Sequence, residues 1–257
     1  HNRVRRQRQM CIRDRGNDVI NIKEGGVIGY GSLYTLGGDD TITIDGSLGE
    51  GWDSGSVYTG SGNDTVSING DLGSYYYSGY VYAGYGDDTI TIAGESQFNR
   101  GAIWGGDGND SIDLSGRTIN SNGDSSRYDI SVWGDSGNDN LIGSDENDRL
   151  NGGDGDDAID AGNGDNTISG DQGNDYLESG TGVDQLYGGD GDDIIKAGGG
   201  NDIIYGRNSS SGKGDDGSID TAVFSGSSTD YKLSRATDTN FESVSYTHLT
   251  LPTNTVV

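Results

Sequence analysis

The sequence predicts an all-β protein, a parallel β-helix or β-roll solenoid, and three observations carry that prediction. The second half of the chain repeats every nine residues. The first half repeats every 22–29 residues around a similar glycine–aspartate turn. Each unit holds one short strand with an inward-facing aliphatic, too little for a core of its own. Self-similarity at a fixed short period is the signature of units that bury their apolar faces only against their neighbours.

Composition sets the problem that such a fold must solve. The chain has 257 residues, 48 of them glycine and one proline, with 30% hydrophobic residues and a net charge of −26. Low hydrophobicity with high net charge is the mark of a disordered chain. A glycine-rich acidic chain escapes that outcome when its residues are periodic and its carboxylates are neutralised. The acidity argues against nucleic acid and anionic membrane surfaces as partners and for cations. No apolar run approaches the length of a membrane span.

The two ends differ from everything between them. Residues 1–15 are basic, and residues 243–257 are rich in Leu, Thr and Val. One DNA segment that encodes Arg5 to Asp14 encodes, on its complementary strand, the VSYTHLTLPT of residues 244–253. That relation is expected of a sequencing adapter translated from both ends, and such tails stand outside the natural fold. The single Cys11, Met10 and Pro252 and both histidines, His1 and His248, lie in these tails. Residues 16–242 then hold 10 basic and 41 acidic residues and no thiol or imidazole for disulfide, zinc or acid–base chemistry. The expectation is an internal fragment of a longer protein, with any secretion signal in a segment beyond it.

From Gly134 the chain divides into GDSGNDNLI, GSDENDRLN, GGDGDDAID, AGNGDNTIS, GDQGNDYLE, SGTGVDQLY, GGDGDDIIK and AGGGNDIIY. The sixth column is Asp139, Asp148, Asp157, Asn166, Asp175, Asp184, Asp193 and Asp202. The eighth is aliphatic throughout: Leu141, Leu150, Ile159, Ile168, Leu177, Leu186, Ile195 and Ile204. Glycine at positions one, two and four suits positive φ and close backbone approach. The last three residues form a strand with one residue inward and its neighbours outward.

This unit resembles the G-G-x-G-x-D-x-U-x nonapeptide of the repeats-in-toxin (RTX) family of calcium-binding repeats, over residues 134–206. The resemblance implies a six-residue turn followed by a short strand, with two nonapeptides in each rung of a right-handed parallel β-roll. Eighteen residues per rung would stack Asp139, Asp157, Asp175 and Asp193 on one edge and Asp148, Asn166, Asp184 and Asp202 on the other. Like charges at a rung spacing of about 4.8 Å repel by roughly 0.9 kcal/mol in water, and by more near a protein surface. A cation between rungs turns that repulsion into attraction, and carboxylate plus carbonyl oxygens select calcium. Several Ca2+ ions are therefore expected, with Asp139, Asp148, Asp157, Asp175, Asp184, Asp193 and Asp202 as ligands. Two units depart from the motif. Asn166 replaces the sixth-position Asp, and Glu146 stands where the position-four Gly belongs, so altered binding is expected at both turns.

Residues 16–133 read as a long-rung parallel β-helix with the turns GNDVINI, GGDDTITI, GSGNDTVSI, GYGDDTITI and GGDGNDSIDL. Their aspartates are Asp18, Asp40, Asp64, Asp88 and Asp110, of which the last four are also expected to bind calcium. Six residues before these four and Asp139 stand Tyr34, Tyr58, Tyr82, Trp104 and Trp133, each preceded by an aliphatic: Leu33, Val57, Val81, Ile103 and Val132. Alternation places the two sets on opposite faces of a strand. The aromatic row has two readings: cross-rung stacking that stabilises the solenoid, or a carbohydrate-contact strip helped by Tyr75, Tyr76 and Tyr77.

After Gly206 the period breaks. The segment 207–242 begins as a loop and continues as alternating strand sequence around Ala222, Phe224, Tyr231 and Leu233. It resembles the D-T-A-V-F-S-G stretch that follows RTX arrays and is expected to cap the solenoid. The GK of this loop lacks phosphate-loop spacing, and the EF-hand pattern fails at Asp154 and Asp190. No catalytic constellation stands out, so the fragment is expected not to be an enzyme. The expectation is a calcium-folded module of a secreted or surface bacterial protein; type I secretion through a missing segment is implied by the resemblance. The alternatives are an adhesin or carbohydrate-binding solenoid that meets a polysaccharide or cell-surface glycan, and an accessory module of a polysaccharide-modifying enzyme or protease.

Overall fold

The computed structural model describes residues 10–11, 15–28, 31–48, 54–73, 78–96, 101–119, 130–206, 220–223, 234–235 and 243–245. Among these residues there is no helix; the strands form two long sheets of twelve and ten strands and three short two-stranded ones. The first sheet includes Gly31–Tyr34, Gly55–Ser61, Gly79–Tyr85, Gly101–Asp107, Ile130–Ser136, Arg149–Asp154, Thr167–Gln172, Gln185–Asp190 and Ile203–Tyr205. The second runs from Val19–Ile22 through Thr41–Ile44, Thr65–Ile68, Thr89–Ile92, Ser111–Asp113, Asn140–Ile142, Ala158–Asp160, Tyr176–Glu178 and Ile194–Lys196 to Thr221–Ala222. Neighbouring strands in each series are parallel, and the chain alternates between the two sheets, as the nonapeptide period requires.

The core is two facing rows of aliphatics. In the first sheet Leu33, Val57, Val81, Ile103, Val132, Leu150, Ile168, Leu186 and Ile204 pair in register, and all are buried. In the second, Ile20, Ile42, Val66, Ile90, Ile112, Leu141, Ile159, Leu177 and Ile195 do the same. The eighth column of the repeat is thus split alternately between the sheets. Each side chain is covered by its neighbours above and below, so one aliphatic per strand suffices in a stack though not in isolation.

Both sheets pass unbroken through the change of period. Equivalent turns lie 22–29 residues apart up to Asp139 and 18 apart from there to Asp193. The extra residues of the long rungs widen the core, adding buried Ile44, Ile68, Ile92, Leu48, Leu72 and Leu114. They also form short parallel pairs, Val27–Ile28 with Ser47–Leu48 and Gly94–Ser96 with Arg117–Ile119.

At the outer ends of the first sheet, Met10–Cys11 pairs with Leu33 and Tyr34, and Ser243–Ser245 pairs antiparallel with Ile203–Tyr205. Open sheet edges present unpaired backbone groups that accept extended segments of many sequences. Most of the expected cap, including Phe224, Tyr231 and Leu233, lies outside the described residues, as does the Tyr75–Tyr77 cluster.

The aromatic row stacks face to face. Successive ring centroids from Tyr34 through Tyr58, Tyr82 and Trp104 to Trp133 are 4.7, 4.6, 4.3 and 4.9 Å apart, with planes within 7° of parallel. Tyr58, Tyr82 and Trp104 therefore have both ring faces covered by other rings and present edges outward. That is a stabilising ladder; a sugar ring needs a free aromatic face, which these three do not offer.

Truncation should separate the two faces of one strand. Leu177→Ala, at a site with no exposure, should lower stability in saturating calcium by about 2–5 kcal/mol in a denaturant titration. Tyr176→Ala, on a side chain 41% exposed, should change it by about 0.5 kcal/mol or less.

Candidate metal centre

The turns explain the glycines position by position. Position four is left-handed in Gly137, Gly155, Gly173 and Gly191, with φ between 127° and 134°. Position two is left-handed as well, in Gly153 and Gly189 and in the non-glycine residues Asp135 and Asp171, both at φ 77°. Position one has no positive φ, and its glycine has another cause. A Cβ built on Gly105, Gly134, Gly152, Gly170 or Gly188 would fall well inside contact distance of the carboxylate of Asp110, Asp139, Asp157, Asp175 or Asp193. On the opposite edge Ala161, Ser179 and Ala197 occupy position one, and on the first edge Thr35, Thr59 and Ala83 do so before Asp40, Asp64 and Asp88, so the position-one glycine set against a carboxylate is confined to the first edge from Gly105 onward.

The sixth-position aspartates complete the backbone at these corners. The main-chain N–H of Asp40 donates to Asp64 Oδ1 at 2.7 Å, and the pattern continues through Asp64, Asp88, Asp110, Asp139, Asp157 and Asp175 to Asp193, all at 2.7–2.9 Å. Asp18 opens this column, donating to Asp40 at 2.8 Å. Asp220 closes it, accepting from Asp193 at 3.3 Å. On the second edge the same bonds link Asp148 to Asn166, Asn166 to Asp184 and Asp184 to Asp202 at 2.7–2.9 Å. Each carboxylate thus satisfies a buried N–H of the preceding rung, which would otherwise be an orphan.

A second column lies beside the first and runs the other way. The N–H of each position-five residue donates to the side chain of its counterpart one rung earlier: Asp39 to Asn17, Asn63 to Asp39, Asp87 to Asn63, Asn109 to Asp87, Asn138 to Asn109, Asp156 to Asn138, Asn174 to Asp156 and Asp192 to Asn174. Asn and Asp nearly alternate along this exposed row, so few carboxylates meet directly. Neither this column nor Asp220 was among the residues read as functional from the sequence. The signals were present in the repeated N-D and D-D pairs before each strand and in the G-S-I-D-T-A-V of residues 217–223.

With Oδ1 committed, Oδ2 decides the chemistry. The Oδ2 atoms of Asp40, Asp64, Asp88, Asp110, Asp139, Asp157, Asp175 and Asp184 are buried and accept no hydrogen bond. Asn166 shows what surrounds such an atom. Its Oδ1 accepts from Asp148 as an aspartate would, and its Nδ2 donates to the carbonyls of Gly162, Asn163 and Gly164 at 3.2–3.3 Å. The turn aims carbonyl oxygens at the place where an aspartate puts an oxygen. Oxygens that face oxygens in a buried site call for a cation, and an all-oxygen donor set fits calcium. Among the described residues no three acidic side chains converge on one point, so main-chain carbonyls must complete any such site.

The same burial shows in the acidities. Desolvation, with the charge of nearby aspartates, pushes Asp88, Asp110 and Asp157 up to about 7 and Asp139, Asp175 and Asp184 up to about 6. Asp64 is raised by burial as well.

Asp148 is built differently. Its Oδ1 accepts from Arg117 Nη1 at 3.1 Å, its Oδ2 accepts from the N–H and the Oγ of Ser144, both at 2.8 Å, and both charged side chains are fully buried. Arg117 was not foreseen, since a lone arginine 31 residues away carries no sequence signal of this contact.

Two measurements probe this centre. A carboxyl raised above its unfolded value near 4 stabilises the fold when protonated, and that stability is lost as pH rises through the folded values of about 6 to 7. In chelator, circular dichroism should therefore show more β-structure at pH 5 than at pH 8, and saturating calcium should abolish the difference. Gly170→Ala, which drives a methyl into Asp175, should lower stability in calcium by about 1–3 kcal/mol; a variant as stable as the parent would contradict this carboxylate position.

The family model for the RTX calcium-binding nonapeptide repeat matches four times, over residues 102–116, 133–168, 156–186 and 178–209. No curated protein matches the chain. Asp110, Asp139, Asp148, Asp157, Asp175, Asp184, Asp193 and Asp202 lie within these segments, and Asp40, Asp64 and Asp88 lie before them. The repeats of residues 133–209, with the turn at 102–116, are RTX calcium-binding nonapeptide repeats.

Proposed function

We propose that the chain binds several calcium ions along its two columns of turns and folds on them, as a module of a secreted or surface bacterial protein. The observation that carries the reading is the row of buried Oδ2 atoms without hydrogen-bond donors, seen beside an Asn166 whose amide fills the equivalent place. On the first edge Asp40, Asp64, Asp88, Asp110, Asp139, Asp157, Asp175 and Asp193 supply carboxylates, and on the second Asp184 and Asp202. Glycine and neighbouring carbonyls supply the remaining oxygens. A divalent ion between rungs would compensate aspartates that otherwise repel or take up protons.

The partner is thus calcium, and the repeats act as a scaffold and not as a catalyst. Sites of extracellular modules bind calcium at about 10⁻⁴–10⁻³ M. A chain that stays unfolded below that concentration and folds above it suits export in the unfolded state through a type I route, followed by folding outside the cell. The sugar-binding alternative loses support because the inner aromatic rings cover one another.

Circular dichroism of the chain, titrated first with calcium and then with magnesium, tests the reading. A cooperative gain of β-structure is expected with calcium and not with magnesium, which is smaller and sheds its water reluctantly. A chain that is fully β-structured in chelator at neutral pH and unchanged by calcium would overturn it.

A further inference from the structure

The two edges of the solenoid are not equivalent. On the first edge the aspartate column runs from the long rungs into the 18-residue rungs without interruption. On the second, Asp148 is the first member among the described residues. In the preceding rung the chain passes through Arg117–Ile119, paired with Gly94–Ser96. Among the described residues none of the preceding rung donates a backbone N–H to Asp148 as Asp139 does to Asp157.

Arg117 supplies what is missing. Its residue exposure is 2%, and its Nη1 donates to Asp148 Oδ1 at 3.1 Å and to Ser144 Oγ at 3.3 Å. Asp148 Oδ2 is then taken by Ser144, so this carboxylate has both oxygens engaged, in contrast to Asp139, Asp157, Asp175 and Asp184. The backbone of the turn differs too. Leu36, Asp135 and Asp171 are the non-glycine residues of positive φ among those described, so Glu146 at position four is not left-handed, whereas Gly164, Gly182 and Gly200 at the same position are. The backbone at position four thus departs from that of the other turns on this edge, and a fixed positive charge is already in place.

We infer that Arg117 is a built-in cation that takes the place of calcium at the head of the second column, closing the turn 143–148 without metal. The inference rests on the calcium reading given above. An arginine stays charged at every accessible pH and delivers directed donors, here to Asp148 and Ser144. It ends the column toward the long rungs, and metal loading on this edge is confined to turns further on. Breaking a buried pair by removing one partner leaves an uncompensated charge, so the vacated space beside Asp148 becomes a place for a small cation.

Calcium bound per chain, counted by equilibrium dialysis at saturation, tests this on the full chain and its Arg117→Ala variant. The variant should bind one calcium ion more than the parent, and Arg117→Lys, which keeps the charge, should bind the same number as the parent. An Arg117→Ala variant that folds in calcium with an unchanged count overturns the inference while leaving the calcium reading intact. A parent chain that binds no calcium sinks both. Should Arg117→Ala fail to fold, a crystal structure of the calcium-loaded parent decides. Arg117 on Asp148 with no ion against that carboxylate is the expected result, and calcium coordinated by Asp148 overturns it.

Discussion

The structure depends on one interaction, the bond from the backbone N–H of a corner aspartate to the carboxylate of the aspartate one rung on. A parallel solenoid turns sharply at each edge, and there the regular ladder between strands cannot pair every N–H. The sixth-position side chain completes the pairing from the next rung, and so ties successive rungs at the points where the sheets leave off. The cost is that carboxylates are buried at the spacing of a β-ladder. The same geometry that satisfies the backbone creates a column of charge.

That charge is handled in three ways along one molecule. In the exposed position-five column, Asn and Asp nearly alternate, so acidic groups are separated by amides that donate as well as accept. In the turn of Asn166, the amide nitrogen meets the carbonyls directly. At Asp148 an arginine provides a permanent positive charge. The Oδ2 atoms of Asp40, Asp64, Asp88, Asp110, Asp139, Asp157, Asp175 and Asp184 have no such internal compensation. Calcium or protonation is the physical alternative for these oxygens.

Much of this was legible in the residues themselves. The inward rows, the pairing of Tyr34, Tyr58, Tyr82, Trp104 and Trp133, and the alternate assignment of sixth-position residues to two edges follow from period and alternation alone. Glycine needed the structure to be understood, because position one is small to admit a carboxylate and not to turn the backbone. Glu146 and Asn166 stood out as departures from the motif, but their consequences did not. Only coordinates reveal that an asparagine reverses the polarity of the site and that the Glu146 turn closes on Ser144. The first edge's extension to Asp220, 27 residues beyond Asp193, was hidden by a break in the period.

By itself the sequence determined the repeating local chemistry: a glycine turn, an aspartate, one inward aliphatic, and hence a stack of parallel strands with a charged edge. These are short-range properties, and a strict period propagates them along the whole chain. Tertiary structure decided which oxygen of each aspartate is used, which turns tolerate a side chain at position one, and where a column begins. The pairing of Arg117 with Asp148 belongs to that second class. It joins residues from different rungs across a change of period, and no local pattern encodes a contact that exists only once the rungs are stacked.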